Sequence, residues 1–294
     1  MTTIKTDKPD FRTEVTNTII DLLSGGLDAW RKPWNASTGL PCNGVSKRRY
    51  NGGNAFWLQC IAMKRGYADN RYCTYKQSAT NGWQVRKGEK GIPIEYWEVR
   101  NIADKDDQAL IKKVLIHRVY TVFNYSQIDG TPELPVSTKV NTPIQAGEDI
   151  LKRSGANITH GGNSAHYAPT LDVINMPLLN DFDNAESYYA TALHELGHWT
   201  GHASRLDRFG ADNMRFGSEE YAIEELRAEL CSCMLQAETG LAYDANNSAA
   251  YVQSWLKALR NDKNLIFKVS SDASKMVDFI LNLDAETLDT DSTD

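Results

Sequence analysis

Two imidazoles one helical turn apart, with a carboxylate beside the first, occur in His194-Glu195-Leu196-Gly197-His198. Residues four apart on an α-helix share a face, with about 5 to 6 Å between β-carbons, so both rings can reach one divalent ion at about 2.0 to 2.1 Å. Glu195 is then placed to take a proton from water rather than to bind the metal. The bland alternative is a chance match on an ordinary helix. The apolar lead-in Tyr188-Tyr189-Ala190-Thr191-Ala192-Leu193 argues against it, because a partly buried helix makes three ionisable groups costly without a counter-ion.

A catalytic zinc site needs a third protein ligand and one open position. The extended pattern H-E-x-x-H-x-x-G-x-x-H places its glycine at Gly201 but its third histidine at Ser204, so that solution fails. On a continuous helix His202 lies about 12 Å along the axis from His194 and reads as a surface or supporting group. The other source is a glutamate from a later helix, as in thermolysin-like gluzincins. In the segment 221–230, Ile223, Leu226, Leu230 and the following Met234 fall on one stripe, Glu225 and Glu229 share a different face, and Glu224 points about 100° from Glu225. Glu225 is the expected ligand and Glu229 the group that orients a histidine, with the roles open to exchange. A solvated acidic face is the competing account.

If the centre hydrolyses peptides, the ion lowers the pKa of a water towards about 7. Glu195 then removes the proton and returns it to the leaving amine. Tyr221, Tyr189 or His166 supplies a further donor for the oxyanion, and spacing singles out none of them. Residues 165–177 read as an edge strand pair on which a peptide could lie as an added strand, although Val173 and Ile174 suit a core.

The chain has 294 residues, of which 41% are hydrophobic, enough for two cores. The N-terminus shows no signal-peptide pattern, and the apolar run from Ala55 to Met63 is too short to span a bilayer. No membrane association is therefore expected. Five scattered cysteines, Cys42, Cys60, Cys73, Cys231 and Cys233, do not form a disulfide framework, and the last two fall on different faces of the expected helix. A reducing cytoplasm fits, and a secreted protease with a basic targeting patch does not.

The net charge of −6 is unevenly distributed. Residues 1–130 carry 20 Lys and Arg against 13 Asp and Glu, and within residues 30–90 there are 12 basic residues against Asp69 and Glu89 alone. Such a balance points to a polyanion, nucleic acid first. Thr131-Pro132-Glu133-Leu134-Pro135-Val136-Ser137-Thr138 has no period and two prolines, and reads as a linker. The expected division is residues 1–130, a linker at 131–143 and a second domain at 144–294, ending in a loose acidic stretch from Asp284 to Asp294.

In the first part Val15, Ile19, Leu22 and Leu23 form a helical stripe that stops at Gly25-Gly26, and Asn54 to Arg65 is helix-like. Gly82 to Gly91 suggests a hairpin or tight loop with three cations, and Ile92 to Val99 and Val114 to Phe123 read as strands. The fold class is α+β.

Cations interleaved with aromatic rings suit unpaired nucleotides, since phosphates take Lys or Arg while bases stack at about 1 to 3 kcal/mol each. The candidates are Trp30, Arg31, Lys32, Trp34, Lys47, Arg48, Arg49, Tyr75, Lys76, Trp83, Arg86, Lys87 and Lys90. Taken singly, Trp57, Trp83 and Trp97 suit a core better.

These stretches carry a resemblance. Val15-Thr16-Asn17, Trp30-Arg31-Lys32-Pro33-Trp34, Asn51-Gly52-Gly53-Asn54, Thr74-Tyr75-Lys76-Gln77 and Gly82 to Gly91 resemble the ArdC-type antirestriction proteins of conjugative plasmids. His194 to His202, Arg205-Leu206 and Tyr221 to Leu226 resemble the metallopeptidase-like domain that accompanies that signature. The resemblance implies a domain for single-stranded DNA joined to a zincin-like, gluzincin-type fold holding Zn2+, or Mn2+ or Co2+. It also implies protection of incoming plasmid DNA from host restriction enzymes, whose subunits are possible partners, in the recipient cell during conjugation. Two functions compete: a metallopeptidase delivered to DNA, and a non-catalytic DNA-binding protein whose zincin domain is architectural or binds a partner.

Overall fold

The structure is a computed structural model that describes residues 10–25, 39–103, 111–134, 143–209, 218–241 and 251–281. Trp30, Arg31, Lys32 and Trp34, most of the expected linker and the acidic C-terminal stretch lie outside the described residues. No helix among the described residues is long and apolar enough to cross a membrane.

Asp10 accepts a hydrogen bond from the Thr13 amide and starts α1 (Phe11–Ser24), whose stripe of Val15, Ile19 and Leu23 is buried. Strand β1 (Cys42–Asn43) leads to α2 (Gly52–Arg65), which buries Phe56, Trp57 and Leu58. Next come β2 (Arg71–Thr74), α3 (Tyr75–Thr80) and β3 (Gln84–Val85). The Gly82–Gly91 stretch does not close on itself as a hairpin. Its Gln84–Val85 pairs instead with Ile128–Asp129, strand β6, and Gly82 and Gly88 supply left-handed turn positions.

Strands β4 (Ile92–Ala103) and β5 (Ile111–Asn124) run longer than periodicity suggests. They pair antiparallel from Ile92–Val122 to Ala103–Ile111, whereas β2 meets β5 only at Val122 to Asn124. The sheet order is β1-β2-β5-β4, so the distal part of β4–β5 is a two-stranded ribbon. Its two long strands satisfy each other's backbone groups, which lets pairing continue beyond the apolar run.

The second part opens with α4 (Pro143–Ser154) and a three-stranded sheet of β7 (Asn157–His160), β8 (His166–Ala168) and β9 (Val173–Met176) in the order β7-β9-β8. The pair expected over 165–177 forms, but only β8 is an edge strand, antiparallel at the rim: β9 is central, paired with β7 on its other side, with Ile174 fully buried. Asn184 caps α5 (Ala185–Trp199) and Ser218 caps α6 (Glu219–Thr239), which Gly240 ends with a φ of 78°. Helices α7 (Val252–Asn261) and α8 (Leu265–Leu281) are the last elements among the described residues.

The α+β parts share one buried apolar cluster that runs from Val15 and Phe56 to Leu235 and Val277. Helix α8 packs on α2, where the Ser274 hydroxyl accepts from the Gly52 amide at 2.8 Å, and the Thr16 hydroxyl donates to the Lys263 carbonyl at 2.9 Å. Each large aliphatic side chain buried here contributes about 1.5 to 3 kcal/mol relative to exposure. The same core thus holds the first part and the helices around His194.

Candidate metal centre and its cleft

Helices α5 and α6 approach closely because Gly197 has no side chain. A β-carbon there would stand 3.2 Å from the Ala228 Cα and 3.4 Å from its carbonyl oxygen. This contact brings the acidic face of α6 under the two histidines. Nε2 of His194 lies 3.4 Å from one Glu225 carboxylate oxygen, Nε2 of His198 lies 3.6 Å from the other, and the two ring nitrogens are 3.2 Å apart. Ligand atoms of His194, His198 and Glu225 all fall within 4.8 Å of one another, the one such trio among the described residues.

The far sides of both rings meet further acids. Nδ1 of His194 is 3.5 Å from Glu229, and Nδ1 of His198 is 3.5 Å from Glu224. These carboxylates are buried, so the solvated-face account of residues 224–229 does not hold. Packing of α6 on nearly every side removes them from water. Burial works against charge on the rings, but Glu225 and Glu229 raise His194 well above the usual imidazole range, and Glu224 and Glu225 push His198 up to about 9. Burial also works against charge on the acids, yet the imidazoles hold Glu225 below the usual carboxylate range, and His198 with Arg208 lowers Glu224 to about 2.

Two borderline imidazole nitrogens and a harder carboxylate oxygen suit zinc, manganese or cobalt. Four buried acids, Glu195, Glu224, Glu225 and Glu229, surround the rings. A divalent cation offsets that concentration of negative charge, so the donor set fits.

The centre opens into a cleft of about 670 Å3. Glu195 lines it beside the histidines, as do Ala165, His166 and Tyr167 at the β8 rim and the rings of Phe182, Phe209, Tyr221 and Tyr251. Of the three donors considered for an oxyanion, Tyr221 and His166 line the cleft, while the Tyr189 hydroxyl donates to Glu148 at 3.0 Å. The Tyr221 and Tyr251 hydroxyls stand 3.4 Å apart. His202 sits outside, its Nδ1 2.8 Å from the Ser204 hydroxyl.

Comparisons with known proteins fit this geometry. Residues 9–123 match the family model described as the N-terminal domain of anti-restriction factor ArdC, and residues 145–272 match that of a zincin-like metallopeptidase. The solved structure of the antirestriction protein ArdC from plasmid R388, in its metal-free form, superposes with a TM-score of 0.78 at 41% identity, over 93% of this chain and 97% of that one. The chain belongs to the ArdC antirestriction family. The Mn(II)-bound form of that ArdC superposes with a TM-score of 0.76 at 40% identity, over 93% and 98% of the two chains. Together with the donor set, this supports divalent-metal binding by the chain. An uncharacterised protein of Sinorhizobium fredii, y4eC, is 37% identical over 95% of both chains. The DNA primase TraC of Escherichia coli is 43% identical over 97% of this chain, which spans only 28% of that primase.

The DNA-binding candidates read from the sequence separate into two groups. Tyr75, Lys76, Lys87 and Lys90 project as exposed side chains. Arg49 instead pairs with Glu238 at 2.6 Å, and Arg86 with Asp129 at 3.2 Å and Glu89 at 3.3 Å. The Lys47 ammonium donates to the Gly44 carbonyl at 2.7 Å, and Arg48 is half-buried. Trp57 is core, and half-buried Trp83 packs edge-on against Tyr125 at 5.3 Å. Trp97 is not core: it is 47% exposed on the ribbon, stacked on His117 across the strand pair at 4.2 Å. The sequence reading missed it because an aromatic residue in an apolar strand looks buried until the facing layer is known.

Arg205 and Arg208 were also missed as structural groups. Arg205 donates to Asp172 and, at 3.1 Å, to the Tyr167 hydroxyl, and its guanidinium lies 4.0 Å from the Trp199 ring centroid. It thereby ties the cleft rim to the end of α5.

Proposed function

We propose that this chain protects incoming plasmid DNA from restriction enzymes in the bacterial cytoplasm, binding single strands through its first 130 residues and carrying a peptide-hydrolysing centre in the remainder. The observation that carries the second half is the trio His194, His198 and Glu225 facing an open cleft beside Glu195. For the first half, the support is the exposed set Tyr75, Lys76, Lys87, Lys90 and Trp97 on a segment rich in basic residues. Subunits of restriction enzymes are the proposed protein partners.

His194, His198 and Glu225 would hold the ion, which when bound supplies Lewis acidity to a peptide carbonyl and to water. Glu195 accepts the proton from the attacking water and delivers it to the departing amine nitrogen. Tyr221 or His166 donates to the carbonyl oxygen as negative charge develops there. The β8 rim offers backbone groups to an extended peptide, and the aromatic walls exclude water around it.

One observation favours an architectural role for the metal-bearing half: α8 packs directly on α2, so this half also buttresses the DNA-binding half. Replacing Glu195 by Ala separates the readings. Loss of protection from restriction, with metal content, fold and DNA binding intact, supports hydrolysis. Unchanged protection supports occlusion of the DNA alone.

A further inference from the structure

Arg208 lies in the loop that follows α5, 10% exposed at its side chain, and reaches three groups at once. Nη2 donates to Glu224 Oε1 at 2.8 Å and to the Gly197 carbonyl at 3.0 Å, while Nη1 donates to the Thr200 hydroxyl at 2.7 Å. That hydroxyl in turn donates to the Gly197 carbonyl at 2.7 Å. Glu224 Oε1, the atom Arg208 holds, is also the atom 3.5 Å from His198 Nδ1. Arg227 stands farther from Glu224, at 3.5 Å, and shares its guanidinium with Asp272.

From this geometry we propose that Arg208 is a positioning residue for the metal centre: it fixes Glu224, and Glu224 fixes the ring of His198 with Nε2 turned towards His194 and Glu225. The inference rests on the metal-site reading above. Three features support it. A buried carboxylate facing an imidazole keeps one orientation when a multi-pronged cation, itself anchored on a backbone carbonyl and a hydroxyl, holds it, and the planar guanidinium supplies this where an ammonium cannot. Contact with the Gly197 carbonyl places that cation at the last turn of α5, where the helix dipole favours positive charge. Glu224 also lies on a different helix from His198, so without Arg208 the pairing depends on α6 alone.

The test is Zn(II) affinity of the full chain, measured by competition with a chromophoric chelator, for the wild type, Arg208→Ala, Glu224→Ala and the double variant. Loss of an outer-shell partner weakens metal binding by about 10- to 100-fold. Arg208→Ala should fall in that range, and the double variant should bind no more than about threefold more weakly than Glu224→Ala. Unchanged affinity in Arg208→Ala, or losses that multiply in the double variant, would overturn the proposal. If Arg208→Ala does not fold in chelator, Arg208→Lys carries the test. It should keep the charge and lose part of the affinity, whereas wild-type affinity overturns the proposal. A wild-type chain that takes up no ion overturns the metal-site reading as well. A wild type that binds while the Arg208 variants match it overturns this proposal alone.

Discussion

Glu225 presents one carboxylate oxygen to each imidazole, at 3.4 Å from His194 and 3.6 Å from His198, whereas Glu229 meets only the outer nitrogen of His194. The two acids therefore have unequal effects. Glu225→Ala should abolish stoichiometric Zn(II) or Mn(II) uptake at micromolar ion, while Glu229→Ala should retain it with affinity reduced by about 10- to 100-fold. Elemental analysis after gel filtration separates the two, and equal losses would show that the roles are shared.

Metal uptake should depend on pH with a definite sign. His194 and His198 are raised in the metal-free protein, the latter to about 9, so protons compete with the ion and affinity climbs with pH until both rings are free of protons. The metal-free fold behaves oppositely. Its raised imidazoles contribute stability that is complete below the ordinary value of 6.5 and is lost as pH rises towards 9. Thermal unfolding with chelator and with excess Zn(II), across pH 6 to 9.5, should give midpoints that diverge as pH rises.

How much of this was legible in the sequence follows from what each feature needs. The spacing of His194 and His198 is a local property of one helix, so it could be read directly. Glu225 and Glu229 could be placed on a common face by period, but choosing between them required the close contact of Gly197 with Ala228. Glu224, about 100° away on the same helix, reads as solvent-facing until α6 proves to be enclosed on that side too. Arg49 looked free for phosphate because Glu238, its partner, is 189 residues distant. The length of β4 and β5 was underestimated because past Val99 the ladder continues from Arg100–Val114 to Ala103–Ile111 through residues with no apolar alternation to signal a strand.

The ribbon supplies a test of nucleic-acid binding. Trp97 is the exposed tryptophan among the described residues, so if it stacks on bases, single-stranded DNA should quench its fluorescence. Trp97→Ala should weaken binding by about 5- to 150-fold, from about 1 to 3 kcal/mol per stacked base. The variant should keep the salt dependence, near −0.7 in log–log slope per phosphate neutralised. Wild-type affinity in the variant would remove Trp97 from the interface, and a flat salt response would remove the cations.

Arg12 grips Glu95 through two hydrogen bonds of 2.9 and 2.7 Å and lies 4.6 Å from the Phe267 ring centroid, joining α1, the ribbon base and α8. Burial works to raise Glu95, but Arg12 more than offsets it and lowers the carboxyl below its ordinary 4.5. The pair therefore stabilises the fold above about pH 4.5 and loses that contribution as pH falls through the lowered folded value. Arg12→Ala should cost on the order of 1 to 3 kcal/mol at pH 7, since it leaves a buried acid without its two strongest hydrogen bonds. In urea titrations the gap to wild type should narrow between pH 5 and 3, and a constant gap would show that lost packing on Phe267 dominates.

The central claim is that His194, His198 and Glu225 converge on a single divalent cation beside Glu195. Anomalous diffraction at the manganese edge from crystals of the full chain grown with Mn(II) tests it directly. The account predicts one peak bonded to Nε2 of both histidines and to the Glu225 carboxylate, with Glu195 next to the ion but not ligating it. A peak elsewhere, or none at saturating Mn(II), would contradict it.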